Sequence, residues 1–216
     1  MAHKCNEFII KNGKFIRDFD TMYQSIEDPW DQELNYSYCF INRLTLMCLS
    51  DVISVQGCDV NTILDIGCAA GCFSDDLLLL SGGNGFYKGL DISQSVIDKA
   101  KNKNKNQRCT FDVGDIRCFN KNFECKFDLV FSSKTIYYVA PEIDVALENI
   151  NKYLNENGLF CFNYNAPRDA FSNQWLTYEL LREKLFSLRF SEKRFIEVNR
   201  LSQEVCAIGV FQKGRW

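Results

Sequence analysis

The sequence predicts an α/β protein built on a seven-stranded, mostly parallel sheet, closed by a C-terminal antiparallel hairpin, with helices on both faces and a helical cap at the N-terminus. Three observations carry that expectation. From Asn61 onward, short β-rich runs alternate with helical ones, the pattern of parallel strands joined by crossover helices. Three of those runs lead into carboxylates, Asp65, Asp91 and Asp115, about one strand–helix unit apart. The last two strand candidates are joined only by Leu201 to Gln203, too short a link for anything but antiparallel pairing.

Taken in order, residues 1–56 form an N-terminal extension or cap, with a short Phe/Ile-rich lead followed by an apolar-periodic stretch, Leu34 to Val55, that reads as one helix. Residues 57–216 are expected to form a single compact α/β unit, since 216 residues suit one domain with a sizeable core. Its parallel strands are placed at Thr62–Ile66, Gly85–Leu90, Cys109–Val113, Phe127–Phe131 and Gly158–Tyr164. The intervening helices fall near Cys72–Leu80, Ser93–Lys103 and Glu142–Leu154. A helical run, Trp175–Phe186, then precedes the hairpin strands Lys193–Arg200 and Glu204–Phe211.

Composition narrows the function. A formal charge of −3 offers no electrostatic footprint for nucleic acid, and the run Lys101 to Arg108, interleaved with Asn, reads as a solvated helix end and loop. Met1 to Phe8 lacks the apolar core of a secretory signal, and apolar stretches such as Leu77 to Leu80 are far too short to span a bilayer. A cytoplasmic protein without a membrane partner is expected, as monomer or homodimer. The 11 cysteines are odd in number and lack C-x-x-C spacing, and the one histidine is His3, in an expected N-terminal tail. Reduced, mostly buried thiols and no metal site are therefore expected.

The chemistry is concentrated at strand ends. Ile63-Leu64-Asp65-Ile66-Gly67-Cys68-Ala69-Ala70-Gly71 is an acidic strand end followed by a glycine-bordered turn into a helix, where glycine allows sharp turning and close backbone approach to a ligand. The dinucleotide fingerprint G-x-G-x-x-G fails, because Ala69 and Cys72 stand at its second and third glycines. Gly89-Leu90-Asp91-Ile92-Ser93 ends the next strand, with Ser93 placed to cap the following helix. Asp112-Val113-Gly114-Asp115-Ile116 ends the third, and Phe127 to Ser133 the fourth.

Together these motifs resemble those of the class I, Rossmann-like S-adenosylmethionine-dependent methyltransferases, over roughly Asp28 to Tyr164. The resemblance implies S-adenosyl-L-methionine as cofactor. In that family the first acidic residue, here Asp65, lies below the cofactor's amino-acid end and orders the turn of Gly67, Cys68, Ala69 and Gly71. Asp91, with Ile92 beside it, corresponds to the carboxylate that takes both ribose hydroxyls. Asp115 corresponds to the acidic contact of the adenine amino group, with Ile116 packing on the ring, and Ser132 stands at the end of the reaction strand.

No D-P-P-Y or N-P-P-Y tetrad follows that strand, which disfavours nucleobase and glutamine acceptors. Ser133 to Tyr138 is instead similar to the S-E-x-x-Y-Y segment of small-molecule enzymes related to the nodulation N-methyltransferase, which acts on a chito-oligosaccharide amine. Here Lys134 replaces the glutamate. Asp28-Pro29-Trp30-Asp31, followed by Tyr36 and the helix containing Arg43, resembles the N-terminal region that closes over cofactor and acceptor in the same group. The residues alone read equally as a Pro-initiated helix start with Trp30 as a hydrophobic staple.

The implied activity is methyl transfer to a small-molecule acceptor, a saccharide or polysaccharide precursor offering an amine or an oxyanion. The alternatives are a protein or RNA methyltransferase, or an inert methyltransferase-like binding module. Tyr137 and Tyr138, following the reaction strand, are the candidate catalytic residues. Tyr23, Trp30 and Tyr36 are candidates for lining the acceptor, with Lys134 and Arg168 as anion contacts. With His3 the sole histidine, deprotonation of an alcohol by imidazole is disfavoured.

Overall fold

The computed structural model describes residues 2–120, 123, 126–167, 176–199 and 204–215. An N-terminal group comprises α1 (Ala2–Ile9), a small hairpin of β1 (Ile10–Lys11) and β2 (Lys14–Phe15), then α2 (Phe19–Ser25), α3 (Gln32–Asn35), a 3-10 turn (Tyr36–Tyr38) and α4 (Phe40–Gln56). There follow β3 (Thr62–Ile66), α5 (Ser74–Leu80), β4 (Phe86–Asp91), α6 (Gln94–Lys103), β5 (Cys109–Val113) and β6 (Phe127–Ser133). A 3-10 segment (Ile136–Glu142), α7 (Ile143–Tyr153), β7 (Leu154–Pro167), α8 (Tyr178–Ser187), β8 (Phe190–Asn199) and β9 (Glu204–Lys213) complete the chain.

The large sheet has the order β5-β4-β3-β6-β7-β9-β8. Its first five members are parallel, whereas β9 runs antiparallel to both β7 and β8. This is the plan expected from the alternating pattern. Successive residues face opposite sides, as the pleat requires. In β3, Ile63 joins the core under α4, α5 and α6, while Leu64 and Ile66 join the one under α7 and α8. Leu129 and Phe131 of β6 go with Ile63, and Val130 with Leu64. With both faces covered, the central strands β3 and β6 are buried almost throughout, whereas β5 at the edge buries only Phe111.

Local capping fixes the helix ends nearest the site. Ser93 Oγ accepts the Val96 N–H at the start of α6, and Thr177 caps α8 through the Leu180 N–H. Gly57, at φ +60°, ends α4 in the left-handed conformation that glycine adopts without strain.

Several sequence-based expectations need correction. The single helix expected over Leu34–Val55 is broken: Cys39 is extended, and the axes on either side meet at 59°. The cause is non-local, because Asp28 holds the start of α3 while Tyr36 is drawn to Asp76. The segment carrying His3, expected as a tail, is helical. Cysteine burial is mixed, with Cys5, Cys48, Cys68, Cys161 and Cys206 buried and Cys118 exposed. Trp175 and the link Leu201 to Gln203 lie outside the described residues. Among those described, no single helix is long and apolar enough to cross a membrane.

Candidate functional site

The order β5-β4-β3-β6 brings the ends of four strands side by side. After β3, the turn is laced to the neighbouring strand: the N–H groups of Gly67 and Cys68 both donate to Leu90 O, at 2.7 and 3.2 Å. Gly67, Ala69 and Gly71 all take positive φ. A Cβ on Gly67 would lie 2.2 Å from Thr135 Oγ1, and one on Gly71 2.7 Å from the Phe111 ring. Packing as well as conformation thus requires glycine at both ends of the turn. Ala69 adopts φ +47°, a conformation that costs an L-residue about 1–2 kcal/mol.

Asp65 is buried beneath this turn and accepts the Tyr87 hydroxyl at 2.6 Å. Burial pushes its carboxyl up to about 7, against the Tyr87 hydrogen bond and helped by the nearby Asp91 charge. Asp91 is also buried; its Oδ2 accepts the Ala69 N–H at 3.0 Å and its Oδ1 the Ser93 N–H at 3.1 Å. Burial raises its pKa, and these backbone donors oppose the rise. Each carboxylate oxygen has two acceptor positions, and with the Ile92 N–H as a third backbone donor the group still keeps an open position for a ligand hydroxyl. Ile92 is partly exposed beside it.

Asp115 is differently engaged. Its carboxylate is gripped by Arg117 through the guanidinium and the backbone N–H. Burial works to raise its pKa, but the Arg117 contacts outweigh it and the group lies below its ordinary value. Ile116 beside it is buried in the core shared with Leu90 and Tyr153.

At the end of β6, Ser132 Oγ is buried and finds no hydrogen-bond partner among the described residues. Ser133 Oγ donates to Asn163 Oδ1, whose amide in turn donates to Thr45 of α4. Lys134, at φ +54°, directs its ammonium to Cys39 Sγ at 3.5 Å. Burial acts to raise the Cys39 thiol, but the N–H groups of Asn42 and Ile41 and the Lys134 charge bring it below its ordinary value.

The aromatic candidates divide into two groups. Tyr137 and Tyr138 have ring centroids 3.9 Å apart, and Tyr138 also meets Phe19 and Trp30. Tyr23 packs on Ala69, Ala70 and Val96 and is hydrogen-bonded to Trp30. Burial drives the phenols of Tyr23 and Tyr138 well above their ordinary value. Tyr36 stands apart: its hydroxyl donates to Asp76 and its ring lies edge-on to Phe73. Asp28 accepts N–H groups of α3, and Pro29 lies in the turn before that helix, so the Pro-initiated start is not what forms. Arg168 lies outside the described residues.

Sequence reasoning missed a set of charges joining the N-terminal group to this edge. Arg17 Nε donates to Tyr138 O at 2.7 Å and its Nη2 to Glu142 at 2.5 Å, while Arg117 lies 3.6 Å from Glu142. Asp20 accepts Ser93 Oγ and the Ser95 N–H, adding a second cap to α6. No local signal marks these residues, because their partners lie far along the chain.

A family model described as a methyltransferase domain matches residues 59–205. Nodulation protein S of Azorhizobium caulinodans is 25% identical over 177 residues, covering 81% of this chain and 79% of that protein. Malonyl-[acyl-carrier protein] O-methyltransferase 1 of Ilyobacter polytropus is 30% identical over 146 residues, 65% of this chain and 50% of that one. Among solved structures, the N-methyltransferase NodS of Bradyrhizobium japonicum WM9, in complex with S-adenosyl-L-homocysteine, superposes with a TM-score of 0.70 at 24% identity, covering 91% of this chain and all of that one.

Proposed function

The chain belongs to the methyltransferase-domain family and is an S-adenosylmethionine-dependent methyltransferase, and on that premise we propose that it methylates an amine on a small saccharide acceptor. The observation that carries the site is Asp91: it ties the turn after β3 to the end of β4 and keeps an open acceptor position on its carboxylate. In this reading Asp91 takes the ribose hydroxyls, with Ile92 alongside. The backbone from Gly67 through Cys68 and Ala69 to Gly71, held from below by Asp65, carries the amino-acid end. The unpartnered Ser132 Oγ adds a polar contact, and Asp115 with Ile116 borders the adenine side, with Arg117 as an added participant.

When bound, the cofactor supplies a methyl group on a sulfonium whose departure needs no proton. The protein's task is then alignment and exclusion of water, worth on the order of 7–11 kcal/mol when geometry is fixed. Tyr23, Trp30, Tyr137 and Tyr138 supply that enclosure, with residues 1–56 acting as the cap. The buried Tyr138 phenol stays protonated at neutral pH, so it positions an acceptor by hydrogen bonding and does not act as a base. An amine suits such a site, because it attacks as the free base and releases its proton afterwards to solvent.

A second reading, an oxyanion acceptor, is favoured by Lys134 beside the end of β6. Incubation with labelled cofactor and glucosamine oligomers tests the first. Label recovered on nitrogen supports it, and cofactor binding without transfer to any amino sugar sinks it.

A further inference from the structure

The tyrosine pair that follows β6 is held by its main chain as well as by its rings. Tyr137 and Tyr138 lie in the 3-10 segment Ile136–Glu142, whose backbone departs from helical values at Val139. In a segment of this kind each carbonyl accepts the N–H three residues further on. For Tyr138 O that residue is Pro141, which has no N–H to give. Arg17 takes the vacant role: its Nε donates to Tyr138 O at 2.7 Å, from 121 residues away in the chain.

Arg17 is itself fixed in aim. Its N–H and that of Ile16 donate to Ile9 O, and the Asp18 N–H donates to Phe8 O, so the main chain on both sides is tied to α1. The residue takes φ +54°, a conformation uncommon for any residue but glycine. Its guanidinium rests over the Phe15 ring, 5.1 Å from the centroid, and the side chain is 11% exposed. Nη2 meets Glu142, the last residue of the 3-10 segment, at 2.5 Å. The planar fork of arginine thus serves a carbonyl and a carboxylate at once, which the point charge of a lysine does not match. One side chain of the N-terminal group pins the segment on both sides of its irregular residue, Val139. The same group supplies Phe19 and Trp30, the rings that Tyr138 meets.

We propose that Arg17 is a positioning residue for methyl transfer, setting the Tyr137–Tyr138 pair in place by supplying the hydrogen bond that Pro141 withholds. The inference rests on the reading above that this pair encloses the acceptor. Fluorine NMR of protein labelled with fluorotyrosine reads the placement without any acceptor, once the Tyr137 and Tyr138 signals are assigned through their Phe variants. Arg17→Ala should shift or broaden those signals and leave the signals of the core residues Tyr87 and Tyr164 in place. Adding Pro141→Ala to that variant should return them, because the alanine N–H restores a local donor to Tyr138 O. Glu142→Gln, which still accepts a hydrogen bond from Arg17, should leave them unmoved. Unmoved signals in Arg17→Ala, a shift that Pro141→Ala does not reverse, or the same shift in Glu142→Gln would overturn the inference. Should Arg17→Ala not fold, Arg17→Met, which keeps an apolar stem over Phe15, carries the same expectations. With labelled cofactor and glucosamine oligomers, Arg17→Ala should lower kcat on the order of tenfold to a hundredfold, the scale of a misplaced reacting group. Calorimetric affinity for S-adenosyl-L-homocysteine should change by less than about twofold, and Pro141→Ala should recover turnover. An unchanged kcat, or a loss of affinity as large as the loss of turnover, would equally overturn it. If no amino sugar is methylated, the acceptor reading fails by itself, and the fluorine signals decide the role of Arg17.

Discussion

The Asp91 carboxylate accepts the backbone N–H of Ala69 at 3.0 Å, so the end of one strand shapes the turn that follows its neighbour. The second oxygen holds the Ser93 N–H, which places one side chain in control of both the glycine-bordered turn and the start of α6. Replacing Asp91 with Ala should weaken cofactor binding by roughly 1.5–3 kcal/mol, the range for hydrogen bonds to a charged group. Calorimetric titration measures it directly. An affinity equal to that of the unaltered protein would remove Asp91 from the ribose contact.

Ala69 gives a test of opposite sign. Its φ of +47° is strained for an L-residue by about 1–2 kcal/mol, and glycine relieves this at an entropic cost of about 0.5–1 kcal/mol. Ala69→Gly should therefore leave stability unchanged or raise it by up to about 1.5 kcal/mol in urea unfolding. A clear loss of stability would show that methyl packing against Tyr23 and Val96 outweighs the backbone strain.

Asp65 supplies a pH dependence. Its folded carboxyl lies near 7 because of burial, above the value of about 3.9 for an unfolded aspartate. Between those limits the folded state holds a proton that the unfolded state has lost, so stability falls as pH rises. The contribution is complete below about pH 4 and gone above about pH 7. Asp65→Asn, which can still accept the Tyr87 hydroxyl, removes this titration. The stability of the unaltered protein relative to the variant should decline by a few kcal/mol, roughly, across that window. Parallel unfolding curves at each pH would contradict a buried, proton-holding Asp65.

Arg17 joins the N-terminal group to the segment after β6 through Tyr138 O and Glu142, with a side chain only 11% exposed. Arg17→Ala leaves Glu142 with the more distant Arg117 and should cost roughly 1–3 kcal/mol. Limited proteolysis should cut before Gln56 more rapidly, while the α/β core resists as before. Cleavage at an unchanged rate would mean that other contacts, such as Asp20 with Ser93, suffice to hold the segment.

Legibility followed the range of the interactions. The parallel strands and their helices were readable because strand and helix periods are written in adjacent residues, and even the end of β5 at Val113 fell where expected. The N-terminal group was poorly readable. Its hairpin and short helices are held by contacts such as Asp20 to Ser93 and Arg17 to Tyr138, and the break at Cys39 interrupts a stretch whose apolar period continues unbroken.

By itself, the sequence determined the strand–turn–helix units, the two glycines that border the first turn, and the carboxylates at successive strand ends, because backbone conformation and burial period are local properties. Only the tertiary structure decided which partners those carboxylates keep: Tyr87 for Asp65, Ala69 and Ser93 for Asp91, Arg117 for Asp115. It also separated Tyr36 from Tyr23, Trp30 and Tyr138, drawing it to Asp76 and Phe73. Such choices depend on groups meeting across distances in the chain that no local period records, and on the burial that makes each hydrogen bond matter.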